Sequence, residues 1–587
     1  MFTRNADIVF LHAPSIYDFR KKPVIHGPIS DVIPSGPIFE MYPIGFLSLA
    51  GHLEKAGFST RIINVANKML NSISYNPEEE IKKLNPIAFA IDLHWLPHVQ
   101  GSLKLAEIVK KYHPHIPVIF GGYSSTYYHK ELITYPFVDF ILKGDSTEIP
   151  MVMLIKAIQE RKDFKDIPNL TYKDRHGNIY HNEITFVPEN TDYVMTEYTL
   201  PIKKTFKFFD LTGYIPFQTW MKYPITAVFL YRGCLHNCRT CGGSKFTCEN
   251  IFNRHKLAYK SPEKVAEELS NIQKYINGPA FIIGDILQNG REYANKILNE
   301  IKKLNFKNDI ALEFFVPPTE EFIKKVHECI PKYSVEMSPE SHDETVRRAF
   351  GRPFNNEQLE KAIEACVKNR CRRIDLFFMT GLPYQTYKSV METIDYCEYL
   401  LKTYGKDKTV YPFISPLAPF IDPGSEVWEN PEKYGYKFFA KTLEEHRKLM
   451  ENALSWKYFL DYETKWMTRH EIVMSSYEAG IRLNELKLKY GLIPEKTAKL
   501  VLKRAKTAIK YIEKIDKIIE MGEAGLKELE NIAPEISDIN IHTICYKEEL
   551  NWPVSFYKFN IFKILYFIFK EATNKIYKLL KTSIRRA

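Results

Sequence analysis

The sequence predicts an α/β protein: a doubly wound, Rossmann-like parallel sheet, then a partial (β/α)6 barrel of the TIM type, then an α-helical C-terminal region. Three observations predict it. Short apolar runs alternate with amphipathic helical segments through the first 160 residues. A second alternation, of six strand–helix units, starts near Ile225. Beyond about Glu429 the spacing is helical and charged, with few strand formers.

In the first series, Asp7–Leu11, Arg61–Val65, Ile87–Ile91, Pro117–Phe120 and Val138–Leu142 read as buried strands. Gly45–Ala56 reads as the helix between the first two. Such a pattern implies a parallel sheet covered on both faces, whose ligands sit at the carboxyl ends of the strands. Residues 1–164 are read as this domain. Residues 165–224 are read as a linker that opens with a hairpin, Leu170–Tyr172 and Ile179-Tyr180 around the turn at Gly177.

The second series spans residues 225–428. Its candidate strands are Ala227–Tyr231, Ala280–Gly284, Ile310–Phe315, Ser334–Met337, Ile374–Phe378 and Tyr411–Ser415. Helical segments such as Pro262–Tyr275 and Asn356–Asn369 separate them. A barrel of this kind carries its chemistry at the carboxyl ends of its strands. Residues 429–587 hold three helical stretches, Lys437–Ala453, Glu463–Tyr490 and Pro494–Met521, and a tail in which Phe, Ile, Leu and Tyr interleave with Lys.

Composition narrows the function classes. With 587 residues, 45% hydrophobic and 26% charged, the chain has the mix of a globular protein of several domains. The formal charge is +10, and residues 552–587 carry eight basic residues against one acid. The remainder is near neutral, so no nucleic-acid partner is expected. No apolar run is long enough to span a bilayer, and the first residues show no signal peptide. Nine cysteines over such a length suit a reducing cytoplasm rather than a disulfide scaffold.

Three of the nine fall within eight residues, as Cys234-Leu235-His236-Asn237-Cys238-Arg239-Thr240-Cys241. Thiolates are soft ligands that suit iron–sulfur clusters or zinc. Three in one loop can hold three irons of a four-iron cluster and leave the fourth open. A zinc site that recruits Cys248, His236 or His255 is the alternative, although the spacing departs from paired C-x-x-C knuckles.

The C-x-x-x-C-x-x-C array after a barrel strand, preceded by Arg232-Gly233, resembles the radical S-adenosylmethionine superfamily. Later segments are similar in the same order. They are Phe281-Ile282-Ile283-Gly284-Asp285, Glu336-Met337-Ser338-Pro339-Glu340-Ser341, Met379-Thr380-Gly381-Leu382-Pro383 and Leu417–Ser425. The resemblance implies that Cys234, Cys238 and Cys241 hold a 4Fe-4S cluster. It implies that Gly284, Asp285, Ser338, Glu340, Ser341, Arg347 (or Arg348) and Gly381 line the S-adenosylmethionine site. Two departures stand out: Ser338 replaces the usual Gly, and Asp285 lacks a second acid beside it. Read alone, Glu340 is equally a carboxylate opening the helix that follows.

The first domain resembles the subgroup of that superfamily with an N-terminal cobalamin-binding domain. Pro43-Ile44-Gly45 with Leu53–Phe58, Phe120-Gly121-Gly122, and Val138–Glu148 carry the likeness. It implies cobalamin at Gly45, Gly121, Gly122 and Gly144, where missing side chains let a flat macrocycle approach. A tight strand-to-helix turn is the other reading of Gly121-Gly122. Asp92-Leu93-His94 follows the third strand and runs into Trp95-Leu96-Pro97, so His94 is not assigned as a cobalt ligand.

The resemblance implies reductive cleavage of S-adenosylmethionine to a 5′-deoxyadenosyl radical, followed by methylation of an unactivated carbon from cobalamin. The alternatives are carbon–carbon or ring formation on a lipid without methyl transfer, and a non-catalytic zinc or iron–sulfur protein. Implied partners are a reductant protein of the ferredoxin or flavodoxin type and a small-molecule or lipid substrate. The expected location is the cytoplasm. The tail from Phe556 to Lys570, continuing through Lys575, Lys578 and Lys581, suits either a helix on the inner membrane face or a docked terminal helix with its lysines in water.

Overall fold

The computed structural model describes residues 5–22, 24–27, 36, 38–417, 420–522, 531, 534, 536, 546–570 and 573. Ala418 and Pro419 of the closing segment, and Lys575, Lys578 and Lys581 of the tail, lie outside the described residues.

The first sheet has seven strands: β1 (Ile8–His12), β2 (Thr60–Asn64), β3 (Ala88–Asp92), β4 (Val118–Gly121), β5 (Phe140–Leu142), β6 (Leu170–Lys173) and β7 (Ile179–His181). Their spatial order is β2-β1-β3-β4-β5-β6-β7. The first five pair in parallel. Continuous apolar runs such as Ile8–Leu11 are buried on both faces because helices cover both. The order reverses between β1 and β3, the switch point at which such sheets open a ligand crevice.

The hairpin β6–β7 is not a free linker. It pairs antiparallel with β5 and extends the first sheet. Leu170, Thr171 and Tyr172 are buried, so the hairpin has a core face of its own.

The second unit begins with β8 (Thr226–Phe229) and a short ribbon of β9 (Tyr231–Arg232) and β10 (Ala258–Tyr259). Then follow β11 (Ala280–Ile283), β12 (Ile310–Phe314), β13 (Tyr333–Glu340), β14 (Ile374–Thr380) and β15 (Val410–Pro416). Strands β8 and β11–β15 form one six-stranded sheet in sequence order. Every pair in it is parallel, as in a partial barrel. The strand period of two divides its side chains. Ile310, Leu312 and Phe314 join the core under the helices, whereas Phe281 and Ala311 point to the concave side and pack with Trp552.

The C-terminal region departs from an all-helical reading. Strand β16 (Tyr436–Phe438) pairs antiparallel with β17 (Tyr462–Thr464) where helical spacing was expected from Lys437 onward. The helix starts only at Leu443. Tyr436 and Tyr462 are both buried, and their rings lie 5.6 Å apart against Gly381, so tertiary packing overrides the local pattern. Helices Arg469–Lys489 and Glu495–Glu520 complete the region. The former packs against β15 and against β14, where Ser476 Oγ lies 2.6 Å from Thr380 Oγ1. Farther on, Trp552 donates to Asp375 Oδ2 at 2.7 Å, and its ring lies tilted against that of Phe281 at 5.1 Å. Both partners sit near the starts of their strands, so Trp552 plugs the amino end of the barrel.

Candidate active site

The three cysteines lie on the excursion between β9 and β10, which also carries the helix Lys245–Ile251. Gly233 enters this loop at φ +93°, and a Cβ there would come within 3.0 Å of Arg254 and Leu257. Cys238 is buried, and Cys234 and Cys241 are partly so. The thiols are close enough that each charge raises the proton affinity of another, on top of the larger effect of burial. Arg352 opposes both effects at Cys234 and Cys238.

Donors already face the sulfurs. Gln288 Nε2 lies 3.4 Å from Cys234 Sγ, as does the backbone N–H of His236. Gly243 N–H points at Cys241 Sγ at 3.3 Å. Such bonds favour thiolate and tune any cluster held there. Among the described residues no three His, Cys, Asp or Glu side chains converge as a single-ion site. A four-iron cluster asks only that each thiolate reach its own corner.

The loop is clamped from two sides. Gly351, at φ +113°, lies so close to the Asn237 carbonyl that a Cβ would sit 2.6 Å from it. Arg239 N–H donates to Phe350 O at 2.8 Å. From the closing segment, Asp422 accepts from Gly242 N–H at 2.8 Å, and Glu426 pairs with both Asn237 and Arg239. Burial pushes the Asp422 carboxyl up to about 6.

The expected S-adenosylmethionine residues are distributed as follows. Gly284, at φ +99°, directly follows β11 against the Tyr231 ring, and its N–H donates to Glu313 Oε2 at 3.0 Å. Asp285 accepts from the N–H groups of Leu287 and Phe315 at 2.8 and 2.9 Å, and burial lifts its carboxyl to about 6. Ser338 is half-buried on β13. The pairing of β13 with β14 shifts register between Met337 and Glu340, and Glu340 has φ +65°. That irregularity re-aims the strand end. Glu340 Oε1 accepts from Arg352 at 2.8 and 3.0 Å, while its Oε2 is buried without a hydrogen-bond partner. Glu340 therefore serves the barrel interior rather than the following helix, whose N-cap is Asp343.

Arg347 and Gly381 are engaged within the protein itself. Arg347 is fully buried, and its donors are spent on the carbonyls of Pro339, Ser341 and Phe354 and on Asn356 Oδ1. It braces the turn after β13, and Arg352 faces the thiols instead. Ser341, also fully buried, has its Oγ accepting from Asp343 N–H at 3.1 Å. At Gly381, φ +91°, the space where a Cβ would stand is taken by Tyr462, whose Oη would lie 2.7 Å from it. The Gly381 carbonyl accepts from Tyr436 Oη at 2.7 Å.

Sequence reading missed Arg352, Gln288 and Glu313. A base directly after Gly351 was the only local signal for Arg352. Gln288 and Glu313 lie in no quoted motif, and only the chain's folding brings them to the thiols and to Gly284. Burial lifts the Glu313 carboxyl to about 7. A cavity of about 330 Å³ opens beside this cluster, lined in part by Leu235, His236, Asp285, Gln288 and Pro317.

The first sheet brings its carboxyl edge to the same place. Gly121 and Gly45 face open space, where a Cβ would meet nothing closer than 3.9 Å. Gly122, at φ +116°, is required by the turn itself, because a Cβ would sit 2.5 Å from His94 Cα. Gly144, at φ +92°, follows β5, and its N–H donates to Thr126 Oγ1 at 3.0 Å. At the switch point, His12 and Asp92 form a buried pair at 3.0 Å, and His12 and His98 both reach the Phe39 carbonyl. The His94 ring lies 4.9 Å from that of Tyr123, which lies 4.7 Å from Phe252, the residue directly after the cysteine loop's helix ends at Ile251. Asp145 pairs with Arg254 at the same junction. Cys248 donates to the Gly243 carbonyl at 3.4 Å, and burial pushes its thiol up to about 12.

Residues 38–152 match the B12 binding domain, and residues 228–397 match the Radical SAM superfamily. No curated protein matches the chain. Among solved structures, the fold is similar to that of the radical S-adenosylmethionine methyltransferase TsrM from Kitasatospora setae, solved with cobalamin and a 4Fe-4S cluster bound. The TM-score is 0.55 at 12% identity, covering 86% of this chain and 100% of that one. It is also similar to the cobalamin-dependent S-adenosylmethionine radical enzyme OxsB, solved with aqua-cobalamin and S-adenosylmethionine. There the TM-score is 0.53 at 14% identity, covering 98% of this chain and 81% of that one.

Proposed function

Because the chain carries a B12 binding domain followed by a radical S-adenosylmethionine domain, we propose that it is a cobalamin-dependent radical enzyme that methylates an unactivated carbon. The observation that carries this reading is a contact. Tyr123, at the carboxyl edge of the first sheet, meets Phe252 of the cysteine-bearing excursion with ring centroids 4.7 Å apart. Groups held at the two edges are thereby neighbours.

Cys234, Cys238 and Cys241 would hold the cluster, and the donor set fits it: three thiols with Gln288 and two backbone N–H groups aimed at sulfur. The bare edge at Gly45 and Gly121 fits a flat macrocycle. When bound, the cluster supplies the electron that cleaves S-adenosylmethionine, and cobalamin supplies the methyl group.

The chain's own residues orient and enclose. Arg352 fixes Glu340 through Oε1, which leaves the buried Oε2 to accept from a hydroxyl such as one of a ribose. Glu313 uses Oε2 to hold Gly284 N–H, so Oε1 can carry a proton near neutral pH. Trp552 closes the amino end of the barrel, and the ion pairs Glu148–Arg232 and Asp145–Arg254 hold the first domain over the other end. Water is thereby kept from a reactive intermediate. The electron donor is a small reductant protein of the ferredoxin or flavodoxin type, and the substrate is a small molecule or a lipid.

The test is anaerobic reconstitution with iron, sulfide and hydroxocobalamin, followed by desalting and a visible spectrum. Retained cobalamin bands above the cluster absorption are expected. So is formation of both 5′-deoxyadenosine and S-adenosylhomocysteine on reduction with S-adenosylmethionine present. A cluster that retains no cobalamin, or 5′-deoxyadenosine without S-adenosylhomocysteine, overturns methyl transfer.

A further inference from the structure

We propose that the helix at 561–570 and the surface around it dock on an anionic lipid bilayer. This helix is apolar on two opposite faces. Ile564, Phe567 and Ile568 turn inward and are half-buried. The Phe567 ring lies 5.5 Å from that of Tyr275, with Lys203 Nζ 5.2 Å from its centroid. Phe562, Leu565, Tyr566 and Phe569 follow the i, i+3, i+4, i+7 spacing of a helix face and are 87%, 55%, 67% and 69% exposed. A helix docked in water puts polar residues on that outer face. Here the outer face is as apolar as the inner one.

The stripe is held in place. Phe559 bridges to Ile276, Asn277 N–H donates to Lys558 O at 2.8 Å, and Asn560 N–H donates to Tyr275 O at 2.9 Å. Next to it, the helix Thr199–Phe208, which carries Lys203, leads into Phe209 and Leu211, 75% and 45% exposed. The apolar surface therefore continues beyond one helix, and patches of this extent mark docking sites.

Charge selects the occupant. Lys563 and Lys570 are exposed on the same helix, and residues 552–587 carry eight basic residues against one acid. Two copies of the chain meeting through this face would bring two such excesses together. An anionic bilayer neutralises them, with rings at the acyl boundary and ammonium groups among the headgroups. No helix among the described residues is long and apolar enough to cross a membrane, so the contact is one of lying on the surface. The inference does not depend on the proposed reaction, because vesicle binding is read without turnover.

The experiment is flotation of the reconstituted full chain with vesicles of phosphatidylglycerol and phosphatidylcholine, beside vesicles of phosphatidylcholine alone. Binding to the anionic vesicles should exceed binding to the neutral ones by about tenfold and should weaken at high salt. The double variant F562S/F569S should lose about tenfold or more of that binding while keeping its cluster content. A second variant, K563E/K570E, keeps the apolar stripe and should lose the preference for anionic lipid. Wild-type chain that stays unbound to anionic vesicles overturns the proposal, as does an F562S/F569S variant that floats as well as wild type. So does a chain that ignores vesicles but dimerises through this face.

Discussion

Glu148, buried, and Arg232, half-buried, form an ion pair across the two domains: Glu148 Oε1 lies 2.5 Å from Arg232 Nη2, and Oε2 lies 3.0 Å from Nη1. Glu148 starts the helix after β5, and Arg232 stands two residues before the first cysteine. Ser48 Oγ also donates to Glu148 Oε1 at 2.9 Å. Burial alone would raise the Glu148 carboxyl, but Arg232 outweighs it and holds the group down to about 2. The signature segments of the two domains are thus joined by this pair, beside that of Asp145 with Arg254.

Glu148→Ala strands Arg232 without its partner and should cost about 3–5 kcal/mol of stability, measured by denaturant unfolding. The pH dependence follows from the sign of the shift. A carboxyl held below its ordinary 4.5 contributes fully above that pH and loses its contribution as the pH falls toward 2. The variant should therefore lack part of the acid unfolding limb of the wild type. An unchanged limb would show that the pair does not brace the domains.

Cys238→Ala removes one of three thiols from the loop. Cluster iron and 5′-deoxyadenosine formation should fall to background, while circular dichroism stays that of a folded α/β protein. Retained cleavage with full cluster content would remove Cys238 from the ligand set.

The two arginines of the β13 end should separate by readout. Arg347→Lys loses bonds to several backbone carbonyls and should cost about 2–3 kcal/mol of stability, with S-adenosylmethionine affinity unchanged. Arg352→Gln leaves Glu340 without its cation, raises the proton affinity of that carboxyl, and should weaken S-adenosylmethionine binding about tenfold. Equilibrium dialysis and thermal melting, run on both variants, decide this. The reverse assignment would show as weakened binding in the Arg347 variant alone.

Glu313 should make the apoprotein less stable as pH rises. Its carboxyl is lifted from 4.5 to about 7, so between those values the folded chain binds more of the proton than the unfolded one. Stability then falls with rising pH by up to about 1.4 kcal/mol per pH unit from this group. Glu313→Gln should flatten that slope in melting curves recorded from pH 5 to 8. An equally steep slope in the variant would place the effect elsewhere.

Much of this protein follows from local patterns. Strand runs such as Ile8–Leu11 and Ala280–Ile283 are apolar over their whole length because both faces of each sheet are covered. The cysteine spacing is legible for a similar reason: all three cysteines lie on one short stretch of chain. The pairing of β16 with β17 was not legible, since Tyr436 and Tyr462 become strand residues only through packing against Gly381.

By itself, then, the sequence determined the two alternating α/β units, the loop that can hold a cluster, and a tail rich in rings and lysines. These depend on spacing along one element, which periodicity records. Only the tertiary structure decided that Arg352 rather than Arg347 faces the thiols, because the reversal at Gly351 turns one inward and buries the other under the strand end. It likewise decided that Trp552 closes the barrel and that Phe562 and Phe569 stay outside. Those outcomes rest on contacts between distant segments, and no local period encodes which of two similar side chains meets them.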